Sequence, residues 1–381
     1  MHFEFATATR IIFGEGTAAA LSEHVRTLGA RPMVVTGASP DRAAALVAAV
    51  SAEVFSLPGE PTVELVRQGA RHALDAACDV VISIGGGSAI DAGKAIAALA
   101  TNGGEPLDFL EVVGKGSAIA VPPLPFMAVP TTAGTGSEVT RNAVLGSEEH
   151  GVKASMRSPL MLPRIALVDP ELTYSLPPAV TASTGLDALT QLIEPYVSAR
   201  ANPLTDAICV DGIKRVSAAL GRVYRDGSDR DARRDMSLAS LFGGLVLANA
   251  GLGVVHGFAA PLGGRWKAPH GALCAALLPH GMAANVAALR TRAPQHTALE
   301  RYAVIARLLT GRSDARAEDG IEWVRALCAE LQVAPLRAWG IREGDLAGIV
   351  EMAARASSMK ANPLSLTSEE LTVLLSAALG H

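Results

Sequence analysis

The sequence predicts an α/β N-terminal domain on an open parallel sheet, followed by an all-α C-terminal domain. Three observations carry this. Before about residue 178, short β-branched runs alternate with helical stretches. After Pro177-Pro178, such runs nearly vanish and long helical windows succeed one another. One β-branched run ends directly in Gly85-Gly86-Gly87, which opens a helix. The domains are therefore expected at 1–178 and 179–381, in keeping with roughly 150 residues per domain in a chain of 381.

The elements follow in order. Pro32 to Gly37 is a short apolar run closed by glycine, and Pro40 to Val50 has helical spacing. Glu53 to Leu57 is a second strand, stopped by Pro58-Gly59, and Thr62 to Ala77 is an amphipathic helix. Asp79 to Ile84 is nearly all β-branched, as expected of a strand buried on both faces. Phe126–Pro130 and Ile165–Val168 are similar. Helices are then predicted over 180–200, 202–220, 230–250, 271–289, 299–309, 321–331, 343–356 and 368–379.

Composition narrows the function. Apolar residues make up 49% of the chain, ample for a core and unlike a disordered chain. A formal net charge of −4 gives no electrostatic reason to bind nucleic acid. The most apolar stretch, Phe242 to Val255, falls short of the ~20 residues a membrane span needs and carries several glycines. It is expected as a buried helix, with no membrane partner. The N-terminus has no signal-peptide pattern, since His2, Glu4 and Arg10 interrupt it. The four cysteines form no CxxC pair, which points to a reducing, cytoplasmic setting and to four small buried residues.

Two polar turns fall at predicted C-terminal strand ends, where open α/β sheets bind ligands. Gly85-Gly86-Gly87-Ser88 allows close backbone approach, and the helix start behind it favours an anion such as a pyrophosphate. It is not the GxGxxG fingerprint, and an ordinary strand-to-helix turn fits it too. Asp91 and Lys94 follow on that helix, with the spacing of a solvated pair. The second turn, Thr131 to Glu138, is dense in hydroxyls and glycines, and a capped turn also explains it. Farther along, Asp187 and Gln191 stand at i, i+4 on one helix face. His256 and His270 are separated by Pro261, Gly263, Gly264 and Pro269, so they belong to different elements. These four could bind Fe²⁺ or Zn²⁺, although structural histidines are commoner.

Taken in order, the motifs resemble the iron-containing (group III) alcohol dehydrogenase family along nearly the whole chain. They are Ile11-Ile12-Phe13-Gly14, Gly85 to Asp91 with Lys94, Pro130 to Asn142, Val168-Asp169-Pro170, Thr184 to Leu189, Val255-His256-Gly257 and Pro269-His270-Gly271. The resemblance implies a dehydroquinate synthase-like architecture, a dinucleotide-binding domain followed by a helical metal-binding domain. It implies that Gly86, Gly87 and Ser88 hold the cofactor pyrophosphate. Thr131, Thr132, Thr135, Asn142 and Lys153 would line the rest of the dinucleotide site, with Asp91 nearby. Asp187, His256 and His270 are implied as catalytic metal ligands, with Gln191 where the family usually has histidine. A second histidine that the family often carries is replaced by Ala260.

The NAD-preferring members commonly carry an Asp where this chain has Gly37. A carboxylate there would repel a 2′-phosphate and glycine does not, so NADP is expected over NAD, with Ser39 or Arg42 contacting the phosphate. The expected activity is hydride transfer between NAD(P) and a small alcohol or aldehyde at Fe²⁺, with Zn²⁺ as the alternative metal. Two other functions remain open: a metal-independent reductase resembling maleylacetate reductases, and a nucleotide-binding protein without catalysis. The expected assembly is a homo-oligomer, at least a dimer.

Overall fold

The computed structural model describes residues 2–266 and 268–380, apart from the Arg42 side chain. The chain divides into two compact units, residues 5–175 and residues 176–380 with 2–4.

In the first unit the elements are β1 (Arg10–Phe13), α1 (Leu21–Arg26), β2 (Pro32–Thr36), α2 (Ala44–Ala48), β3 (Glu53–Ser56), α3 (Val63–Asp75) and β4 (Val80–Gly85). Then come α4 (Gly87–Asn102), α5 (Pro106–Phe109), β5 (Phe126–Pro130), β6 (Asn142–Ser147), β7 (Val152–Arg157) and β8 (Ile165–Val168). Six strands form one sheet in the order β1-β8-β5-β4-β2-β3, with every pairing parallel. The inner strands β2, β4, β5 and β8 are buried along their length, whereas the edge strands β1 and β3 are largely not. Side chains alternate between two cores. Val81 packs with Val66 of α3 and Ile96 of α4, while Val80, Ile82 and Ile84 pack with Leu21 and Val25 of α1.

The topology creates the ligand position. From β2 the chain runs outward to β3, then returns to β4 on the other side of β2 and continues towards β5. The switch point lies between the ends of β2 and β4, the usual crevice of such sheets. Gly37 follows β2 there, and an added Cβ on Gly85 would stand 3.3 Å from its backbone nitrogen.

The second unit is helical: α6 (Pro178–Val197), α7 (Pro203–Arg225), α8 (Arg230–Ala250), α9 (Val254–Trp266), α10 (His270–Arg292), α11 (Ala298–Thr310), α12 (Ala317–Glu330), α13 (Leu346–Ala354) and α14 (Ser368–Leu379). α6 is buried along nearly all its length and packs against α7, α8 and α10. Among the described residues, α10 is long and apolar enough to cross a bilayer by length and composition, but 72% of its apolar window is buried inside the fold. That burial is expected of a core helix.

Two sequence expectations need correction. Phe242 to Val255 is not one helix. α8 stops at Ala250, Gly251 turns at φ 75°, and α9 departs at 101°. An added Cβ at Gly253 would meet Asn362 Oδ1 at 2.8 Å and Glu194 Oε1 at 3.0 Å, so the break is packed tightly. The other correction concerns the antiparallel hairpin β6–β7, which the sequence reading missed. Its partly exposed, alternating pattern lacks the continuous apolar run of the parallel strands.

Candidate active site

In the first unit, the two polar turns come together. α4 starts at Gly87 with Gly86 as N-cap and no side-chain cap, leaving its first N–H groups available to a ligand. An added Cβ at Gly86 would lie 3.2 Å from Thr132, and one at Gly87 2.7 Å from Thr135. The glycines thus let the threonine turn close over the helix start. Thr131 N donates to Gly85 O at 2.9 Å, which fixes the junction. Ser88, Thr132, Thr135, Asn142 and Lys153 are half-buried, whereas Thr131 is buried. Lys153 Nζ pairs with Glu60 Oε2 at 2.5 Å. Among the described residues the Gly37 position is sterically open, with no atom within 4 Å of an added Cβ. The Arg42 side chain, expected near a 2′-phosphate, lies outside the described residues.

Asp91 and Lys94 are corrected in detail. They are buried, not solvated. Lys94 Nζ stands 3.1 Å from Asp91 Oδ1 and donates to Ser137 O, Thr140 Oγ1 and Asn142 O. Asp91 Oδ2 accepts from Val144 N at 3.0 Å. Asp91 Oδ2 therefore ties α4 to β6, while Oδ1 faces Lys94 on the same helix. Burial lowers the Lys94 pKa, with the Asp91 carboxylate opposing it. Burial also pushes the nearby Glu138 carboxyl up to about 7.

In the second unit, four donors converge: Asp187 of α6, His256 of α9, and His270 and Cys274 of α10. One ligand atom from each lies within 4.8 Å of the others. Asp187 Oδ1 is 3.4 Å from His256 Nε2 and 3.8 Å from His270 Nε2, yet makes no hydrogen bond among the described residues. Cys274 Sγ is 3.6 Å from His270 Nε2 and 3.8 Å from His256 Nε2. On the same α6 face, Glu194 Oε2 takes His256 Nδ1 at 2.7 Å, and Oε1 accepts from Val255 N at 2.7 Å. This clamp holds a proton on His256 Nδ1 and turns Nε2 to the cluster, where a bound metal would take the place of any proton it carries.

The electrostatics favour a cation here. Burial alone would raise the Asp187 pKa, but His270 and His256 hold it below the usual carboxylate range. Burial alone would lower the His256 pKa, but Cys274, Asp187 and Glu194 together hold it well above its ordinary value. Asp187 is 1% exposed and His256 6%, whereas the His270 side chain is 36% exposed, so the cluster opens on the His270 side. A buried carboxylate oxygen without a donor, facing imidazole nitrogens, fits a divalent metal.

Gln191 is buried one turn beyond Asp187, and its Oε1 has no hydrogen-bond partner among the described residues. That oxygen lies against α8, 3.1 Å from where a Gly243 Cβ would stand. Cys274, read from sequence as a small buried residue, sits among these converging donors. Glu194 was also missed. Both carried a signal: Cys274 is i+4 from His270, and Glu194 is i+7 from Asp187.

The description "Iron-containing alcohol dehydrogenase" matches residues 8–170, and the C-terminal part of the same family matches 181–379. The chain belongs to the iron-containing alcohol dehydrogenase family. It is 37% identical over 379 residues to alcohol dehydrogenase 4 of Schizosaccharomyces pombe, covering 97% of this chain and 87% of that one. It is also 37% identical to 1,3-propanediol dehydrogenase of Klebsiella pneumoniae, over 79% of this chain and 76% of that one. Among solved structures it is similar to sulfoacetaldehyde reductase from Bifidobacterium kashiwanohense in complex with NAD⁺, with a TM-score of 0.87 and 29% identity over 100% of this chain and 99% of that one. The chemistry is the family's, hydride transfer between NAD(P) and an alcohol or aldehyde at a metal site. These relatives support the first of the three functions expected from sequence and neither of the others.

Proposed function

We propose that Asp187, His256 and His270 hold the divalent metal at which a small alcohol is oxidised or an aldehyde reduced. The observation that carries this is the buried, hydrogen-bond-free Asp187 Oδ1 facing two imidazoles. Gly86, Gly87, Ser88, Thr131, Thr132, Thr135, Asn142 and Lys153 are proposed to bind the dinucleotide. When bound, the nicotinamide exchanges the hydride and the metal lowers the cost of negative charge on the substrate oxygen.

The chain's own residues supply order and charge. Glu194 fixes the His256 ring and its tautomer. Asp187 brings negative charge into a buried site and keeps it ionised. Gly86 and Gly87 bring the threonine turn onto the start of α4. Ala260 lies one turn beyond His256 on α9 and leaves room where a histidine would stand.

Fe²⁺ is proposed as the metal, with Zn²⁺ as the alternative that the same donors accept. NADP is proposed as the cofactor, because Gly37 offers no carboxylate to repel a 2′-phosphate. NAD is the second reading, favoured by the NAD⁺ complex of the sulfoacetaldehyde reductase. The absence of disulfides among the described cysteines supports a reducing, cytoplasmic setting. A homodimer is proposed, with β1 at the sheet edge as the segment available for pairing.

Asp187→Ala tests the division of labour. Metal content and turnover should be lost while calorimetry still detects nucleotide binding. Full metal retention in the folded variant would refute the ligand assignment.

A further inference from the structure

We infer that Cys274 is a direct thiolate ligand of the metal and fills the coordination position that Gln191 leaves without an imidazole. This rests on the metal reading above and deepens it. The geometry is the first support. Donors bound at about 2.0–2.3 Å in tetrahedral directions stand about 3.3–3.7 Å apart. Every donor pair lies within 4.8 Å, and four of the six separations are 3.4 Å (Asp187 Oδ1 to His256 Nε2), 3.6 Å (Cys274 Sγ to His270 Nε2), and 3.8 Å for both Cys274 Sγ to His256 Nε2 and Asp187 Oδ1 to His270 Nε2. All four are within a few tenths of an ångström of that spacing.

The second support is hydrogen-bond accounting. A neutral Cys274 thiol has one proton and faces two imidazole nitrogens, so it serves only one of them. His256 Nδ1 is engaged by Glu194, which turns Nε2 to the cluster. Asp187 Oδ1 has no donor. A single cation satisfies all four converging atoms at once.

The third support is local geometry. His270 and Cys274 are one helical turn apart at the start of α10. An added Cβ at Gly271 would lie 2.6 Å from Ser183 O, so the first turn of α10 rests directly on α6. That seat sets both side chains towards Asp187. Cys328, by contrast, is engaged elsewhere: its thiol donates to Ala275 O, the carbonyl that loses its helical partner because Pro279 has no N–H. A thiolate also makes the site softer than one with an amide oxygen at that position, which draws it towards Zn²⁺.

The test uses the whole protein stripped of metal and titrated with Co²⁺. Wild type should show a near-ultraviolet thiolate-to-cobalt charge-transfer band that grows with occupancy. Cys274→Ser should lose the band and bind Co²⁺ more weakly, by roughly 10–100-fold. Cys328→Ser and Gln191→Ala should keep the band. X-ray absorption of the Zn²⁺-loaded wild type gives a readout that needs no variant, with one sulfur at about 2.3 Å expected. Co²⁺ binding that Asp187→Ala abolishes, but with no sulfur band and no sulfur scatterer, would overturn the Cys274 assignment and leave the three-ligand reading intact. No stoichiometric Co²⁺ binding by wild type would overturn both.

Discussion

Replacing Glu194 with glutamine changes few atoms and tests how the site is held. The carboxylate accepts from two donors at once, His256 Nδ1 at 2.7 Å and Val255 N at 2.7 Å. Glutamine offers one acceptor oxygen and one NH₂ donor. If its oxygen stays on Val255 N, its NH₂ faces His256 Nδ1 and forces the ring proton to Nε2. The lone pair that faces Asp187 and Cys274 is then lost. If its oxygen turns to His256, its NH₂ meets the Val255 N–H donor to donor, and the first turn of α9 must shift. Both arrangements damage the cluster. Losing the outer partner of a metal-ligating histidine costs about 10–100-fold in metal affinity, or about 1.4–2.8 kcal/mol. Chelator competition against wild type measures the difference, and circular dichroism checks that the variant is folded. Unchanged affinity in a folded Glu194→Gln protein would mean that His256 does not ligate through Nε2.

Two further substitutions probe the two units separately. Gly271→Ala places a methyl 2.6 Å from Ser183 O, a backbone atom that cannot rotate away; metal content should fall and stability drop by about 1–3 kcal/mol, and unaltered melting temperature and metal content would show that this seat does not set His270. Gly37→Asp should fit without strain, because no atom of the described residues lies within 4 Å of its Cβ. It should shift cofactor preference towards NAD by about 1–3 kcal/mol of like-charge cost; an unchanged ratio of kcat/KM for the two cofactors would place the 2′ group elsewhere.

Much of the first unit was legible because its strands are buried on both faces. Val80 to Ile84 can be little other than an inner parallel strand, and the glycines after it mark the switch point. The β6–β7 hairpin was not legible, since its strands mix buried and partly buried residues instead of a continuous apolar run, and β6 packs on α4 in a way no local pattern reveals. α9 was hidden for another reason. Pro261, Gly263 and Gly264 look like loop residues, but proline is tolerated where the i−4 carbonyl is otherwise accommodated, and tight packing against neighbouring helices overrides weak propensity. The same glycines correctly signalled that His256 and His270 belong to separate elements.

The metal site shows where residue spacing carries information and where it stops. Asp187 and Gln191 drew attention because i, i+4 places two side chains on one helix face. His270 and Cys274 have that same spacing, but cysteine is so often a buried apolar residue that the pair gave no alarm. The difference between the two pairs lies in what stands opposite. The Gln191 amide oxygen lies against Gly243 of α8. The Cys274 sulfur faces two imidazoles, one of them with its tautomer fixed by Glu194. A metal requires donor atoms to converge within a few ångströms; it does not require them to come from a particular turn of a particular helix. A donor can therefore weaken on α6 and reappear on α10 while the site keeps its shape. Only the folded arrangement, in which Gly271 seats α10 on α6, reveals that exchange.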